Sequence, residues 1–535
     1  MSFVLNDAST QQMSFLDSYN NLTEREKKFL EKSWAKQFAE HIFPKIDEAP
    51  YAVLYSGKDS RPNTPVNIQI GALIIKEFMG LSDDELLAAL MFDIRFQYAL
   101  HTTSYIEQPM SDRTLGRFRE RCSTYERETG IDLLHNTITS LSNEMAEMMK
   151  IDLSLKRMDS LMVSSNIKRM SRLELLYTCV ANLAKEILRR GDTLPEGLIH
   201  YTQADDRNQV IYHNRSEETS DKITTVLKDA VILKELCGSS YDESSNYQLL
   251  VRVLREQCIP EEGGSLRLRT KEDGGMDASI LQNPADPDAT YREKAGKQNR
   301  GYAANVAEAS GEECSIVTDY QYEKNTHSDS QFLKDFLAKE ETHDEPVTVV
   351  TDGAYSGRTN EELAAEKNVE LVTTNLTGRE ADDILADFEF NEDGTKVEKC
   401  AGGYAPKSCS YNAQTGQCTV SFQRSQCDQC PHRDECHPKT FKRTCRKTVS
   451  SKSKHRAEQQ RMRDTDEFMK MTKFRNGVET LPSILRRKYR VDQMPVRGLI
   501  RSRLFFGCKI GALNFSKFCR YMQGRDIYAQ NAVMA

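Results

Sequence analysis

Apolar residues recur at helical spacing in the first third of the chain. A helix is predicted from Val66 to the stop at Gly80, with an apolar face of Ile68, Ile70, Leu73, Ile74 and Phe78. A capping box of Ser82 and Glu85 predicts a second helix from 83 to about 99. A third predicted helix starts at Ser111 and displays Arg113, Arg117, Arg119 and Arg121. This pattern is typical of a helix-turn-helix-like DNA-binding unit, and a helical scaffold with a solvated basic face is the alternative.

From residue 148 the pattern changes to the alternation of a strand, with Asp159 embedded in it. Helical spacing over 170–258 predicts an insertion, and 259–290 has the composition of a loop. The following pattern predicts a β-hairpin, a helix, a strand, a helix and a strand, at 294–320, 328–340, 346–350, 360–367 and 370–374. An RNase H-like mixed sheet requires this order of elements.

The run from Pro346 to Gly357, PVTVVTDGAYSG, predicts a buried central strand that ends at Asp352. Its β-branched valines prefer extended, buried backbone. A carboxylate at the carboxyl end of a strand lies where open α/β sheets bind ligands. The alternative is that Asp352 only caps a helix or forms a turn.

The composition indicates a multidomain protein of 535 residues, with enough apolar residues, 38%, for sizeable cores. The mean hydropathy of −0.62 and the lack of a long uncharged apolar run exclude a transmembrane protein. The first residues, MSFVLNDASTQQMSF, lack the pattern of a signal peptide, so we expect a cytoplasmic protein.

The charge of the chain is distributed unevenly. Residues 421–535 carry 26 Lys and Arg against 10 Asp and Glu, whereas the whole chain has a net charge of −7. The C-terminal part of the chain is therefore basic, and the remainder is acidic. This asymmetry indicates binding to a polyanion, with a merely solvated basic tail as the alternative.

Seven of the fourteen cysteines lie within 400–445. Such clustering indicates metal binding more than disulfides. The Cys-x2-Cys pair Cys427 and Cys430, followed by Cys436 and Cys445, predicts a structural zinc site. Spacing alone does not fix the four ligands, and free thiols in a reducing cytosol are the alternative.

Beyond the cysteines, helical spacing returns at about Asp464. It places Arg475, Glu479 and Arg486 close to one helical face, although Pro482 weakens a simple helix. The tail that follows is basic and carries Arg501 and Arg503.

Three acids from separated segments, Asp159, Asp352 and Glu479, form the candidate catalytic set. Phosphodiester chemistry uses two divalent ions about 3.5–4 Å apart, and hard oxygen ligands suit Mg²⁺, with Mn²⁺ as a substitute. Three such acids can hold an ion pair only if the fold brings them together.

With these motifs the chain resembles the DDE transposases of bacterial insertion sequences. Met158-Asp159-Ser160 is similar to the first-acid motif, and Asp352-Gly-Ala-Tyr355 to the second, with its glycine displaced by one position. Arg475, Glu479 and Arg486 match the Arg, Glu and final basic positions of the third motif. Thr472 replaces its tyrosine and arginine replaces its lysine.

The resemblance implies cleavage at transposon ends by water, followed by attack of the freed 3′ hydroxyl on target DNA. It implies that Asp159, Asp352 and Glu479 bind Mg²⁺. It also implies that Arg475 and Arg486 contact the DNA strand. The partners would be double-stranded DNA, as terminal inverted repeats and target, and a second copy of the chain in a homodimer on DNA, with no membrane.

The predicted domains are an all-α DNA-binding domain (1–145), an RNase H-like catalytic domain (146–375) with its helical insertion (170–258), a cysteine-rich insertion (376–465), and a catalytic helix with the basic C-terminal part (466–535). Two alternatives stay open. One is a metal-dependent nuclease that cuts without joining, and the other is a domesticated DNA-binding zinc protein without transposition.

Overall fold

The computed structural model describes every residue except 7–16, 59–60, 213–217, 262–263, 295, 312–313, 375–380, 463–464 and 534–535. It forms two compact units. The first unit comprises Met1–Leu153, Ser160–Phe332 and Thr480–Ala535, and the second comprises Ser154–Asp159 and Leu333–Glu479. The predicted boundary at 375/376 lies outside the described residues, as does the predicted helix start near Asp464.

The helices are α1 (Glu24–Glu31), α2 (Trp34–Gln37), α3 (Val66–Met79), α4 (Asp83–Phe92), α5 (Ile94–Ala99), α6 (Thr114–Thr129), α7 (Leu133–Met148), α8 (Arg172–Arg190), α9 (Thr219–Cys237), α10 (Ser245–Gln257), α11 (Asp329–Lys339), α12 (Arg358–Glu366), α13 (Arg424–Asp428), α14 (Arg433–Cys436), α15 (Ser451–Met462), α16 (Asp466–Asn476), α17 (Thr480–Arg487) and α18 (Leu499–Val533). None of them, within the described part of the chain, is both long and apolar enough to span a bilayer.

The strands are β1 (Leu155–Ser164), β2 (Cys258–Pro260), β3 (Leu266–Leu268), β4 (Thr290–Lys294), β5 (Lys297–Ser310), β6 (Ser315–Lys324), β7 (Val347–Thr351), β8 (Val369–Thr373), β9 (Glu389–Phe390), β10 (Val397–Lys399), β11 (Ser408–Asn412), β12 (Gln417–Gln423), β13 (Lys439–Thr440) and β14 (Thr444–Val449).

The helices near the N-terminus follow the predicted capping signals. Gly80 ends α3 in the left-handed conformation, with φ of 71°, and Ser82 and Glu85 form the predicted capping box of α4. The single helix predicted over 83–99 is wrong. Asp93 adopts extended backbone there, and its side chain accepts a hydrogen bond from the Arg95 N–H, so that α5 starts anew.

The helices predicted within 170–258 are present, and their assignment as an insertion into an RNase H-like domain stays a prediction. Helices α8, α9 and α10 of the first unit enclose an apolar core of their own, which includes Leu176, Leu183, Ala230 and Leu250. The short strands β2 and β3 follow it as an antiparallel pair.

The main sheet is mixed, as predicted. Its strands are ordered β4-β5-β1-β7-β8, with β6 paired to β5. The β4-β5-β6 pairings of the first unit are antiparallel, whereas β1, β7 and β8 pair in parallel within the second unit. The predicted hairpin is β5 and β6, and β4 is an additional strand. These observations confirm a mixed α/β protein, and the RNase H-like fold stays a prediction.

The strand β7 is central and buried, as its valines predict. It lies between β1 and β8, and Val349 and Val350 are fully buried. The cysteine-rich segment of the second unit instead forms a small antiparallel sheet in the order β11-β12-β14-β13.

The single helix predicted through Arg475, Glu479 and Arg486 is wrong. Helix α16 ends at Asn476, a 3-10 turn follows at Gly477–Glu479, and α17 begins at Thr480. Pro482 therefore falls in the first turn of α17, where the missing N–H of proline costs no helical hydrogen bond.

Candidate active site

The first two predicted acids lie on neighbouring parallel strands of the second unit. Strand β1 pairs with β7 in a register that sets Arg157 beside Val350. Asp159 and Asp352 each follow that pair by two residues. Because parallel strands run in the same direction, both carboxylates arrive at the same edge of the sheet.

Asp352 uses its two carboxylate oxygens for different purposes. Its Oδ1 accepts a hydrogen bond of 2.9 Å from the Ala354 N–H and caps the 3-10 turn Gly353–Tyr355. Its Oδ2 lies 3.5 Å from an Arg475 guanidinium nitrogen. The turn-forming role, which was the alternative to a site role, therefore coexists with it in one side chain.

The third acid reaches the cluster through the end of α16. Arg475 lies in the last turn of α16, and Glu479 ends the 3-10 turn that follows. The Nη1 of Arg475 donates to Glu479 Oε1 at 2.7 Å, and its Nη2 lies 3.3 Å from Asp159 Oδ1. One guanidinium thus contacts all three acids predicted from the sequence, and we call these four residues the acid cluster.

The members of the acid cluster differ in exposure. The exposed fraction of the side chain is 60% for Glu479, 23% for Asp352, 14% for Asp159 and 7% for Arg475. Glu479 is therefore the part of the acid cluster that is most open to solvent.

A second arginine, Arg157, holds α16 on strand β1, and the sequence pattern does not predict it as a site residue. Arg157 is buried and precedes Asp159 by two residues, so both side chains lie on the same face of the strand. Its Nη1 donates to the Phe474 carbonyl at 2.5 Å, and its guanidinium carbon lies 5.1 Å from the centre of the Phe474 ring. A side chain at Gly477 would overlap this Nη1, so the present position of the Arg157 guanidinium requires glycine there.

The chemistry of the acid cluster suits a divalent cation. All three acids offer hard carboxylate oxygens, which Mg²⁺ and Mn²⁺ prefer. The three acids already surround one cation, the Arg475 guanidinium. No three His, Cys, Asp or Glu side chains among the described residues stand ready to hold a metal ion, so the acids would have to close around one.

Cysteines surround a small cavity elsewhere in the second unit. Cys400, Cys427, Cys430 and Cys436 line this space of about 30 Å³. Burial, and next the neighbouring Cys445 thiol, raises the pKa of Cys427 to about 12. We call these five residues the cysteine cluster. It contains the four predicted zinc ligands and adds Cys400, but its thiols do not form a ready metal site in the described structure, and zinc stays a prediction.

The predicted helix at Ser111 starts at Thr114 as α6, and the arginines in it and at its N-cap, Arg113, differ in their surroundings within the first unit. Arg113 and Arg117 are exposed, and Arg121 stacks over the Tyr55 ring at 4.7 Å. Arg119 instead donates two hydrogen bonds to Asp83, of 2.7 and 2.8 Å, and these bonds lower the pKa of Asp83 to about 2. Arg119 therefore fastens α6 to α4, whereas Arg113 and Arg117 keep their charge toward solvent.

The basic residues after the acid cluster also differ, and all of them lie in the first unit. Arg486 donates to the Met162 carbonyl at 2.8 Å and pairs with Asp492. Arg501 is exposed and pairs with Glu120 at 2.7 Å. Arg503 is enclosed by Glu126, Glu323 and the Tyr322 carbonyl, a placement that favours a structural role over DNA binding.

Two family models match parts of the chain. Residues 399–519 match the model described as Transposase DDE domain, and residues 25–121 match the model described as Transposase domain (DUF772). The first match contains Arg475 and Glu479, whereas Asp159 and Asp352 lie outside both matches. No curated protein and no solved structure matches the chain. These two matches to transposase domains indicate a DDE transposase of the insertion-sequence type.

Proposed function

We propose that the protein catalyses Mg²⁺-dependent cleavage at the ends of its transposon and strand transfer of those ends into target DNA. One observation carries this proposal. Three acids from separated parts of the second unit converge on one guanidinium, in a chain whose residues 399–519 match a transposase DDE domain.

Asp159, Asp352 and Glu479 would hold the divalent ions. When bound, such ions activate the attacking oxygen and stabilise the leaving oxygen of a phosphodiester. In the first reaction a water molecule attacks the phosphodiester at the transposon end and leaves a 3′ hydroxyl and a 5′ phosphate. In the second, the 3′ hydroxyl attacks a target phosphodiester and displaces another 3′ hydroxyl.

The chain's own residues orient this chemistry. The Ala354 N–H fixes Asp352 through one carboxylate oxygen and leaves the other directed toward the cluster. The Arg157 bond to the Phe474 carbonyl positions the end of α16, and with it Glu479, against the strand that carries Asp159. Tyr355 is fully buried, in keeping with packing beside the site rather than chemistry.

Basic side chains in both units would bind the DNA. We propose that the terminal inverted repeats are contacted by Arg113, which directly precedes α6, and by Arg117 and Arg121 of α6, with the exposed Arg501 as a further contact. Arg475 and Arg486 are proposed to contact the strand near the cut. Because two transposon ends react together, we propose a homodimer on DNA, acting in the cytoplasm. A structural zinc ion in the cysteine cluster is a separate proposal.

The test is a cleavage and strand-transfer assay with Mg²⁺ on DNA that carries the element's own ends. Asp352→Asn and Glu479→Gln should each lower both reactions by at least about 100-fold, because each removes a carboxylate from the metal set. Both variants should bind end DNA nearly as the wild type does. Glu467→Gln is the matched control, because Glu467 is an exposed acid of the same helix, α16.

The alternative functions give different results in the same assay. A nuclease would cut the ends without joining them to target DNA. A domesticated DNA-binding protein would bind the ends and catalyse neither reaction. Full activity in Asp352→Asn or Glu479→Gln would contradict the proposed site.

A further inference from the structure

Arg475 is surrounded by the acids that it contacts. Its two terminal nitrogens reach Asp159, Asp352 and Glu479 at 3.3, 3.5 and 2.7 Å. The side chain is only 7% exposed, and its Nε is buried without a hydrogen-bond partner among the described residues. The guanidinium is therefore held in place through its contacts with the three carboxylates.

The guanidinium and a divalent ion would share the same carboxylates. A magnesium ion binds carboxylate oxygens at about 2.0–2.1 Å. One oxygen of each acid now faces Arg475, namely Asp159 Oδ1, Asp352 Oδ2 and Glu479 Oε1, and an ion bound among the three acids would draw on these same carboxylates. Two cations that share these carboxylates also repel each other at short range. A bound ion therefore competes with the present position of Arg475.

The polar contacts of the buried Arg475 side chain in the described structure are those with the three acids. Its Nε would lose no hydrogen bond if the side chain rotated, because that atom has no partner in the described structure. The neighbouring Arg157 already supplies the bond that keeps α16 on β1. The guanidinium could thus leave the acids while the backbone of α16 stays where it is.

Resting on the proposed function of the three acids, we propose that Arg475 is a counter-cation which divalent metal displaces. Its guanidinium neutralises part of the charge of Asp159, Asp352 and Glu479 in the resting protein. When metal takes these carboxylates, the guanidinium moves out toward the exposed Glu479, where a DNA phosphate can accept its hydrogen bonds. Arg475 thereby makes its contact with DNA depend on metal binding.

The test measures Mn²⁺ binding to the full-length protein without DNA, by the electron paramagnetic resonance signal of free Mn²⁺. Arg475→Gln should bind Mn²⁺ at least about tenfold more tightly than the wild type, because the competing charge is gone. Arg475→Lys, which keeps the charge, should lie between the two. Lys473→Gln, the same loss of charge at an exposed position of α16, should bind as the wild type does.

Equal or weaker Mn²⁺ binding by Arg475→Gln and Arg475→Lys would overturn the proposal, because Arg475 would then support the ligands instead of competing with metal. Thermal melting of each variant checks its folding, and Arg475→Lys alone decides if Arg475→Gln does not fold. Asp352→Asn separates this inference from the proposed function. If wild type and Asp352→Asn bind Mn²⁺ with equal affinity, the three acids do not form a metal site and the proposed function is contradicted. If Asp352→Asn loses Mn²⁺ binding but the Arg475 variants bind no more tightly than the wild type, only the proposed role of Arg475 is overturned.

Discussion

The acid cluster and the cysteine cluster of the second unit are built in opposite ways. The acid cluster joins residues as far apart in sequence as Asp159 and Arg475, 316 positions, and it encloses a cation of the chain. The cysteine cluster draws all its members from one stretch of the chain, and burial raises the pKa of Cys427 to about 12, so that this thiol is neutral near pH 7.

This difference shows which kind of cluster is the stronger sign of a site. Carboxylates that the fold brings together are charged and need a counter-ion, so their convergence demands a cation. Neutral thiols can pack as small apolar groups without any ion. The convergence of three acids on one guanidinium therefore supports the proposal of a cation-binding site, whereas the proximity of the cysteines is compatible with zinc and with free thiols.

Among the changes that test this comparison, a substitution at Gly477 should have the largest effect on activity. Gly477 supports the acid cluster but is not one of its four residues. In Gly477→Ala the new methyl group displaces the Arg157 guanidinium and breaks its bond to the Phe474 carbonyl. Misplacement of Glu479 should lower strand transfer by about 100-fold. The assay is the cleavage and joining reaction, with thermal melting measured in parallel.

The matched control for this change is Gly197→Ala, since a methyl group at Gly197 meets only open space. It should leave activity and stability unchanged. Wild-type activity in Gly477→Ala would mean that the contact between Arg157 and α16 does not position the acid cluster.

A smaller effect on activity is expected from the cysteine cluster, which can be tested by metal content. If zinc is bound, the purified chain should contain about one zinc ion, and Cys430→Ser should lose it because four-coordinate structural sites do not tolerate a missing thiolate. Cys400→Ser and Cys445→Ser distinguish the two candidates for the fourth ligand. Elemental analysis by mass spectrometry is the measurement.

Cys314→Ser, outside the cysteine cluster and in the first unit, is the control and should keep its zinc. Protein purified without chelators that carries no zinc would contradict the zinc prediction. It would leave these residues as free thiols packed around a small cavity.

Local signals in the sequence predicted much of the fold. Gly80 and the Ser82–Glu85 capping box mark helix ends correctly, because their effect depends on neighbours within four residues. The order of strands also predicted that Asp159 and Asp352 would meet. Strand order restricts which strands can be neighbours, so it carries long-range information that a single motif lacks.

Features that depend on distant partners could not be predicted. Gly477 is approached closely by Arg157, a residue 320 positions earlier, and an arginine in a strand does not indicate its partner. The sequence predicts only a DNA contact for Arg475, because its spacing to Glu479 does not show that two further acids surround it. Arg503 has the sequence context of a basic tail, yet Glu126 and Glu323 enclose it.

The most direct test of the central claim is metal rescue at Asp352. Asp352→Cys replaces a hard oxygen ligand by a sulfur ligand, which Mg²⁺ binds poorly and softer divalent ions bind better. We predict that Asp352→Cys is inactive in strand transfer with Mg²⁺. Its strand-transfer activity with Mn²⁺ should be at least about tenfold higher than with Mg²⁺. Wild type should be active with both ions. Wild-type activity of Asp352→Cys with Mg²⁺, or a folded, DNA-binding variant that Mn²⁺ does not rescue, would contradict metal binding by Asp352.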